Sequence, residues 1–199
     1  MKENYTKQLL VAAVALCALS FTIQKVQDRL GIRGPLEFNK KSFHLVKSNE
    51  ITDTQLVQEY LPAGQRENDF KEKLSLTVYT DNQNLRSLFL HNKKELEEAC
   101  SEDPYYTMFV MEPKNKEERI LFFTSSVMEK GKAAYTDFGI WRFVPVTLND
   151  NTKAIIKYHY TRREYKPTEA PDPMMVATEY SGLVSQFSFL QVPAMQVKP

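Results

Sequence analysis

A chain of 199 residues, 42% hydrophobic and 12% aromatic, has the size and composition of one globular domain with a targeting segment, which excludes a disordered protein. Its 26 Lys and Arg residues stand against 25 Asp and Glu. So even a balance excludes the basic field behind non-specific nucleic-acid binding and the polybasic cluster that holds proteins on anionic lipid.

Lys2 and Lys7 precede an unbroken apolar run from Leu9 to Leu19, the order of a secretory signal, and small residues at Ala18 and Ser20 place the cut before Phe21. The run is shorter than the ~18–20 apolar residues of a spanning helix, which favours removal over anchoring. The expected organisation is a signal peptide over 1–20, a helix or linker over 21–35 and a single α+β domain over 36–199. The alternative is a retained anchor helix over 8–30, because Phe21, Ile23, Val26 and Leu30 continue an apolar stripe to Gly31. Cys17, at the end of the run, suggests lipidation, but Leu16 before it is bulkier than the small residue such a site takes. Once the signal is removed, Cys100 stands alone, and the only Asn-x-Thr sequon, Asn4-Tyr5-Thr6, lies in the signal. Both features fit a bacterial periplasm, with the inner membrane as the alternative if the segment stays.

Gly31, Gly34 and Pro35 read as a linker or hinge. Short apolar stretches then predict strands at 43–46, 56–61, 74–80, 105–111, 120–127, 133–146 and 154–165. Leu74, Leu76 and Val78 alternate with Ser75, Thr77 and Tyr79, and Ile156, Tyr158 and Tyr160 alternate with Lys157, His159, Thr161 and Arg163. Helical spacing predicts helices over about 84–100, capped by Asp81 or Asn82, and about 174–190. Between the last strand and the second helix, Pro167, Pro171 and Pro173 predict a stiff loop. The expected fold is α+β: an antiparallel sheet of about five to seven strands covered on one face by two helices, behind an N-terminal hydrophobic helix.

No motif for chemistry stands out. His44, His91 and His159 lack metal-ligand spacing, the six glycines are scattered rather than gathered in a phosphate loop, and Ser125-Ser126 has no nucleophile-elbow context. Cys100 reads as a structural cysteine, and Glu97-Glu98 and Glu117-Glu118 point in divergent directions. Lys157-Tyr158-His159-Tyr160-Thr161-Arg162-Arg163 interleaves rings with cations, but strand alternation separates them, against single-stranded nucleic acid. No catalytic, cofactor-binding or metal residue is assigned, and no cofactor is expected.

The most distinctive stretch runs from Glu59 to Leu74, where Pro62 and Gly64 break a strand and Phe70 re-enters the apolar pattern, as in a hairpin loop. Tyr60, Leu61, Pro62, Gly64, Gln65 and Glu72 resemble a segment of uncharacterised bacterial exported proteins, Tyr-Leu-Pro-x-Gly-Gln followed by Asn-Trp-Thr-Glu-Met. Asp69, Phe70, Lys71 and Lys73 depart from it. The resemblance implies an exported location and supplies no catalytic residue.

The leading expectation is a non-enzymatic envelope protein that binds another envelope protein through a sheet edge or an exposed aromatic face. Lys157, His159, Arg163 and Trp141 are the candidate surface; Tyr135, Phe138 and Phe143 read first as core. The second is a binder of a lipid or small apolar ligand, with a pocket lined by Met108, Phe109, Met111, Phe122 and Phe123. The third is a hydrolase pairing a Ser or Cys with His44 or His159. A membrane is contacted only through the N-terminal segment, if that is uncleaved.

Overall fold

The computed structural model describes residues 26–81, 83–113, 115–165 and 173–197, with no side-chain placement for 173–177 and 179. The expected signal peptide, residues 1–20, and residues 21–25 of the expected linker lie outside these, as does most of the proline-rich loop. In chain order the elements are β1 (Leu36–Phe38), β2 (Lys41–Thr52), β3 (Gln55–Pro62), β4 (Glu72–Tyr79), α1 (Leu85–Glu102), β5 (Tyr106–Met111), β6 (Arg119–Glu129), β7 (Lys132–Thr147), β8 (Lys153–Tyr165) and α2 (Pro173–Ser188).

The eight strands form one antiparallel sheet in the order β1-β2-β3-β4-β8-β7-β6-β5. The expected sheet of five to seven strands covered on one face by two helices is therefore corrected: among the described residues the sheet has eight strands, and its two helices pack on opposite faces. The extra strand, β1, has three residues, too few for periodicity to announce it. It pairs with β2 through a two-residue turn at Asn39 and Lys40, whose φ values of 49° and 60° fit the twist of a tight hairpin.

The helices lie on opposite faces. Leu121, Phe123, Phe143, Ile155 and Tyr79 pack with Leu88, Phe89 and Leu96 of α1, whereas Ile120, Phe122, Ile140, Ile156 and Tyr160 pack with Leu183, Val184 and Phe187 of α2. Both sets of alternating residues in β6 are apolar, as expected of a strand buried on two sides. A single wet face was expected because Ser75 and Thr77 alternate with leucines, yet both are buried.

The sheet curls into half a barrel. Phe38 in β1 and Tyr160 in β8 are separated by three strands, a span of about 19 Å in a flat sheet, but their ring centroids are 4.9 Å apart. Phe187 fills the concave side, 5.1 Å from Phe38 and edge-on to it. At the end of α2, Arg142 forks onto Glu118 at 2.8 and 3.0 Å and donates to the carbonyls of Phe187 and Leu190 at 3.2 and 2.6 Å. A cation there complements the helix dipole and compensates a buried carboxylate.

Leu30 is wholly buried, Ile32 nearly so, and the Leu30 carbonyl accepts from Gln196 N–H at 2.9 Å. Residues 26–30 are not helical. The core thus reaches back into the segment expected to be a linker, and the described part of the alternative 8–30 helix is irregular chain. Among the described residues no helix is long and apolar enough to cross a membrane. The α1 cap is Asn84, whose side chain accepts from Arg86 N–H at 2.8 Å, rather than Asp81 or Asn82.

Candidate functional site: a polar cluster and a free sheet edge

Strand register brings three of the four surface candidates together. Ser75, His159 and Trp141 lie opposite one another in one row across β4, β8 and β7; Thr77, Lys157 and Phe143 form the next, all on the convex face. Lys157 Nζ sits 4.0 Å from the centre of the Trp141 ring and donates to Asn92 Oδ1 of α1 at 2.7 Å. Asn92 is held in mid-helix by its own amide, which donates to the Leu88 carbonyl at 2.9 Å. The His159 ring stands 5.7 Å from Trp141, nearly perpendicular, and shares a 3.0 Å hydrogen bond with Thr161 Oγ1.

Burial disfavours charge in this cluster. It lowers the Lys157 amine to about 8, against an opposing pull from Glu95. It lowers His159 to about 3, helped by Lys157 and Lys73, so the imidazole is neutral at physiological pH. Trp141 Nε1 is buried without a hydrogen-bond partner, a state that costs about 1–3 kcal/mol. Tyr158 Oη is likewise unpartnered, on the concave face opposite Arg142.

Arg163, the fourth candidate, is not part of this group. It is chelated by Asp137 at 2.7 Å through each of two nitrogens and lies between the rings of Phe70, 4.5 Å away, and Tyr135, 3.8 Å away. The five residues expected to line an apolar pocket are split by strand alternation. Met108 and Phe123 face α1, while Phe109, Met111 and Phe122 face the concave core, where Phe109 stacks on Phe122 at 4.9 Å. No one face of the sheet carries all five.

For nucleophilic chemistry, Ser126 is engaged with Thr136 at 2.8 Å, and burial followed by Glu97 raises the Cys100 thiol, away from the reactive thiolate. His44 is exposed on β2. Among the described residues no three His, Cys, Asp or Glu side chains converge as a metal site.

The hairpin segment is structural. Gly64 takes φ +83°, and Gln65 Oε1 accepts from the backbone N–H groups of Lys71 and Glu72 at 2.6 and 3.1 Å, stapling the loop to β4. Glu72 is buried, accepting from Tyr160 Oη at 2.6 Å and pairing with Lys41. Burial opposes its charge, but these two hydrogen bonds outweigh that and hold the carboxyl below its ordinary range.

Sequence reasoning did not single out the sheet edge at β5. Its Tyr-Thr-Met-Phe-Val-Met carries no charge and no proline, its far edge is unpaired among the described residues, and Val110 is 49% exposed. The signal was present as the uncharged run Tyr105–Met111, rich in residues of high β propensity, between Pro104 and Glu112. Only the strand order shows that they end the sheet.

A family model whose description names no activity matches residues 30–185. The chain belongs to that family. The match opens at Leu30, the first fully buried residue among those described, spans the eight described strands and closes within α2. No curated protein matches the sequence.

Proposed function

We propose that the protein is a non-enzymatic exported envelope protein of a bacterial periplasm, serving as an interaction module that offers β5 as a docking strand. The uncharged, half-exposed edge of β5 carries this reading. An open edge of this kind is a template for strand addition, in which backbone hydrogen bonds give affinity and alternate side chains give selectivity. Lys2, Lys7 and the apolar run from Leu9 to Leu19 support export, as does the resemblance of the Tyr60–Gln65 segment to exported proteins.

The partner is a different protein rather than a second copy. Asp103 and Glu112 bracket β5, so antiparallel pairing of two copies about a two-fold axis sets the acidic end of one against the acidic end of the other. The complementary partner strand is apolar with Lys or Arg at its ends.

A photo-crosslinking residue at position 110, with position 37 on β1 as control, tests this in intact cells. Crosslinks to another envelope protein are expected from 110 and not from 37; none from 110, or equal yields at both, overturns the proposal. With purified protein, a short Val-Thr peptide flanked by lysines should bind at least 10-fold more tightly than one flanked by glutamates. Self-association through β5 without peptide binding refutes the heterotypic partner.

A further inference from the structure

The rim of the half barrel holds a notch that strand docking at β5 does not use. β4 pairs with β8 as far as Glu72 opposite Arg162, with one further bond from Arg163 N–H to the Lys71 carbonyl at 2.8 Å, whereas β8 runs on to Tyr165 against β7. The curl of the sheet brings Asn39 and Lys41, at the β1–β2 turn, to this step, where Lys41 pairs with Glu72. A cavity of about 510 Å³ results, within the ~300–1,000 Å³ of small-ligand sites. Because it lies at the end of β8 rather than on one face of it, Arg162 and Glu164 line it together with Arg163 and Tyr165.

The notch is cation-rich in a chain that is otherwise balanced. Four of its lining residues are cations, Lys41, Lys71, Arg162 and Arg163, against the carboxylates of Glu72 and Glu164. Two of the four are engaged: Arg163 is chelated by Asp137, and Lys41 pairs with Glu72, whose other oxygen accepts from Tyr160 Oη. Lys71 and Arg162 are exposed and have no ion-pair partner among the described residues. The Arg162 guanidinium lies 5.2 Å from the centre of the Tyr180 ring of α2, which limits the directions it takes. The distinctive Glu59–Leu74 segment builds one wall, because Gln65 fixes the backbone of Lys71 and Glu72, and Glu72 in turn holds Lys41.

We propose that this notch binds a phosphate monoester carried on a hydroxylated body, a sugar or polyol phosphate, with Lys71 and Arg162 on the phosphate and Glu164 and Asn39 on the hydroxyls. A phosphate monoester carries nearly two negative charges at neutral pH, which two uncompensated cations match, and a guanidinium offers it paired donors. The exposed carboxylate of Glu164 weakens the hold on a bare anion, but it accepts a hydrogen bond from a hydroxyl that the anion carries. Tyr165, 37% exposed, supplies an apolar ring against which the body of the sugar rests.

Calorimetric titration at low ionic strength with glucose 6-phosphate, inorganic phosphate and glucose separates the two halves of the site. Saturable binding is expected for glucose 6-phosphate, binding about 10-fold weaker for inorganic phosphate, and none for glucose. Arg162→Gln and Lys71→Gln, both at exposed positions, should each weaken glucose 6-phosphate about 10-fold with melting unchanged. Glu164→Gln should weaken the sugar phosphate while inorganic phosphate binds as tightly or more so. Phosphatidylcholine vesicles with and without phosphatidylinositol 4-phosphate distinguish the source of the ester: selective sedimentation with the phosphoinositide assigns it to a lipid headgroup, and calorimetric binding without sedimentation assigns it to a soluble molecule. Absence of saturable binding to glucose 6-phosphate and to the phosphoinositide vesicles alike, binding unchanged in Arg162→Gln, or tighter sugar phosphate binding in Glu164→Gln overturns the proposal.

Discussion

The two edges of the sheet solve the same problem in opposite ways. At one end β1 has three residues, follows Pro35, turns Glu37 outward to accept from Ser42 Oγ at 2.6 Å, and buries Leu36 and Phe38 against the concave core. A short, charged strand tied to a helix is a poor template for another chain. At the other end β5 has six uncharged residues, spreads apolar side chains over both faces, and leaves Val110 half in solvent. One edge is finished by the fold and the other is left open, which is why docking is assigned to β5.

The largest expected effect breaks the finished edge. Phe38 makes edge-to-face contacts with Tyr160 and Phe187, closing the half barrel onto α2. Phe38→Ala should cost about 3–5 kcal/mol in chemical denaturation, through the lost burial and the cavity between β1 and α2. Hydrogen exchange should show β1 opening locally while β5 is unchanged. A loss below about 1 kcal/mol would mean that β1 is not held by the core.

The next test weakens the layer beneath the open edge. The Phe123 ring lies on Gly139, where an added Cβ would approach its atoms to 2.3–2.8 Å, and Phe123 is the cross-strand neighbour of Met108 in β5. Gly139→Ala should displace the ring at a cost of about 1–3 kcal/mol. The displacement also disturbs Trp141, 5.2 Å from Phe123, so tryptophan emission should shift.

A change of pH separates the two faces more gently. His159 is held neutral in the folded protein, its value lowered to about 3 from an ordinary 6.5, while the unfolded chain takes up a proton near 6.5. Its contribution to stability is complete above that pH and is lost as pH falls below it. Stability should drop by roughly 1–2 kcal/mol between pH 6.5 and 5, and His159→Gln should flatten this window. Glu72, also lowered, adds its loss only in the ordinary carboxylate range and below, so it does not obscure the comparison.

Much of this architecture was legible in the chain. Seven of the eight described strands were announced by short apolar stretches, two of them by clear alternation, and both helices by helical spacing. What local patterning could not supply was the face. Ser75, Thr77, Lys157 and His159 look like residues turned to water, yet Ser75 and Thr77 are buried, Lys157 and His159 are half-buried, and Lys157 reaches Asn92 of α1. Strand register brings Trp141, Lys157 and His159 together, whereas Arg163, on the same face of β8, is drawn to Asp137. The apolar pocket failed because residues adjacent along a strand point to opposite sides.

The smallest stability effect is the sharpest test of the comparison. Val110 faces the α1 side but is half exposed, so its replacement by lysine removes little burial and should change stability by no more than about 0.5 kcal/mol. Lysine on an edge strand is also the means by which sheets repel added strands, since its charge must be desolvated for pairing to occur. Val110→Lys should therefore leave melting and circular dichroism unaltered while reducing binding of the lysine-flanked peptide at least 10-fold, part of it through charge repulsion. Val110→Thr, which keeps β propensity and adds no charge, should bind within a factor of about 3 of wild type. If Val110→Lys binds as wild type does, β5 is as closed to partners as β1, and the difference between the two edges is one of shape alone.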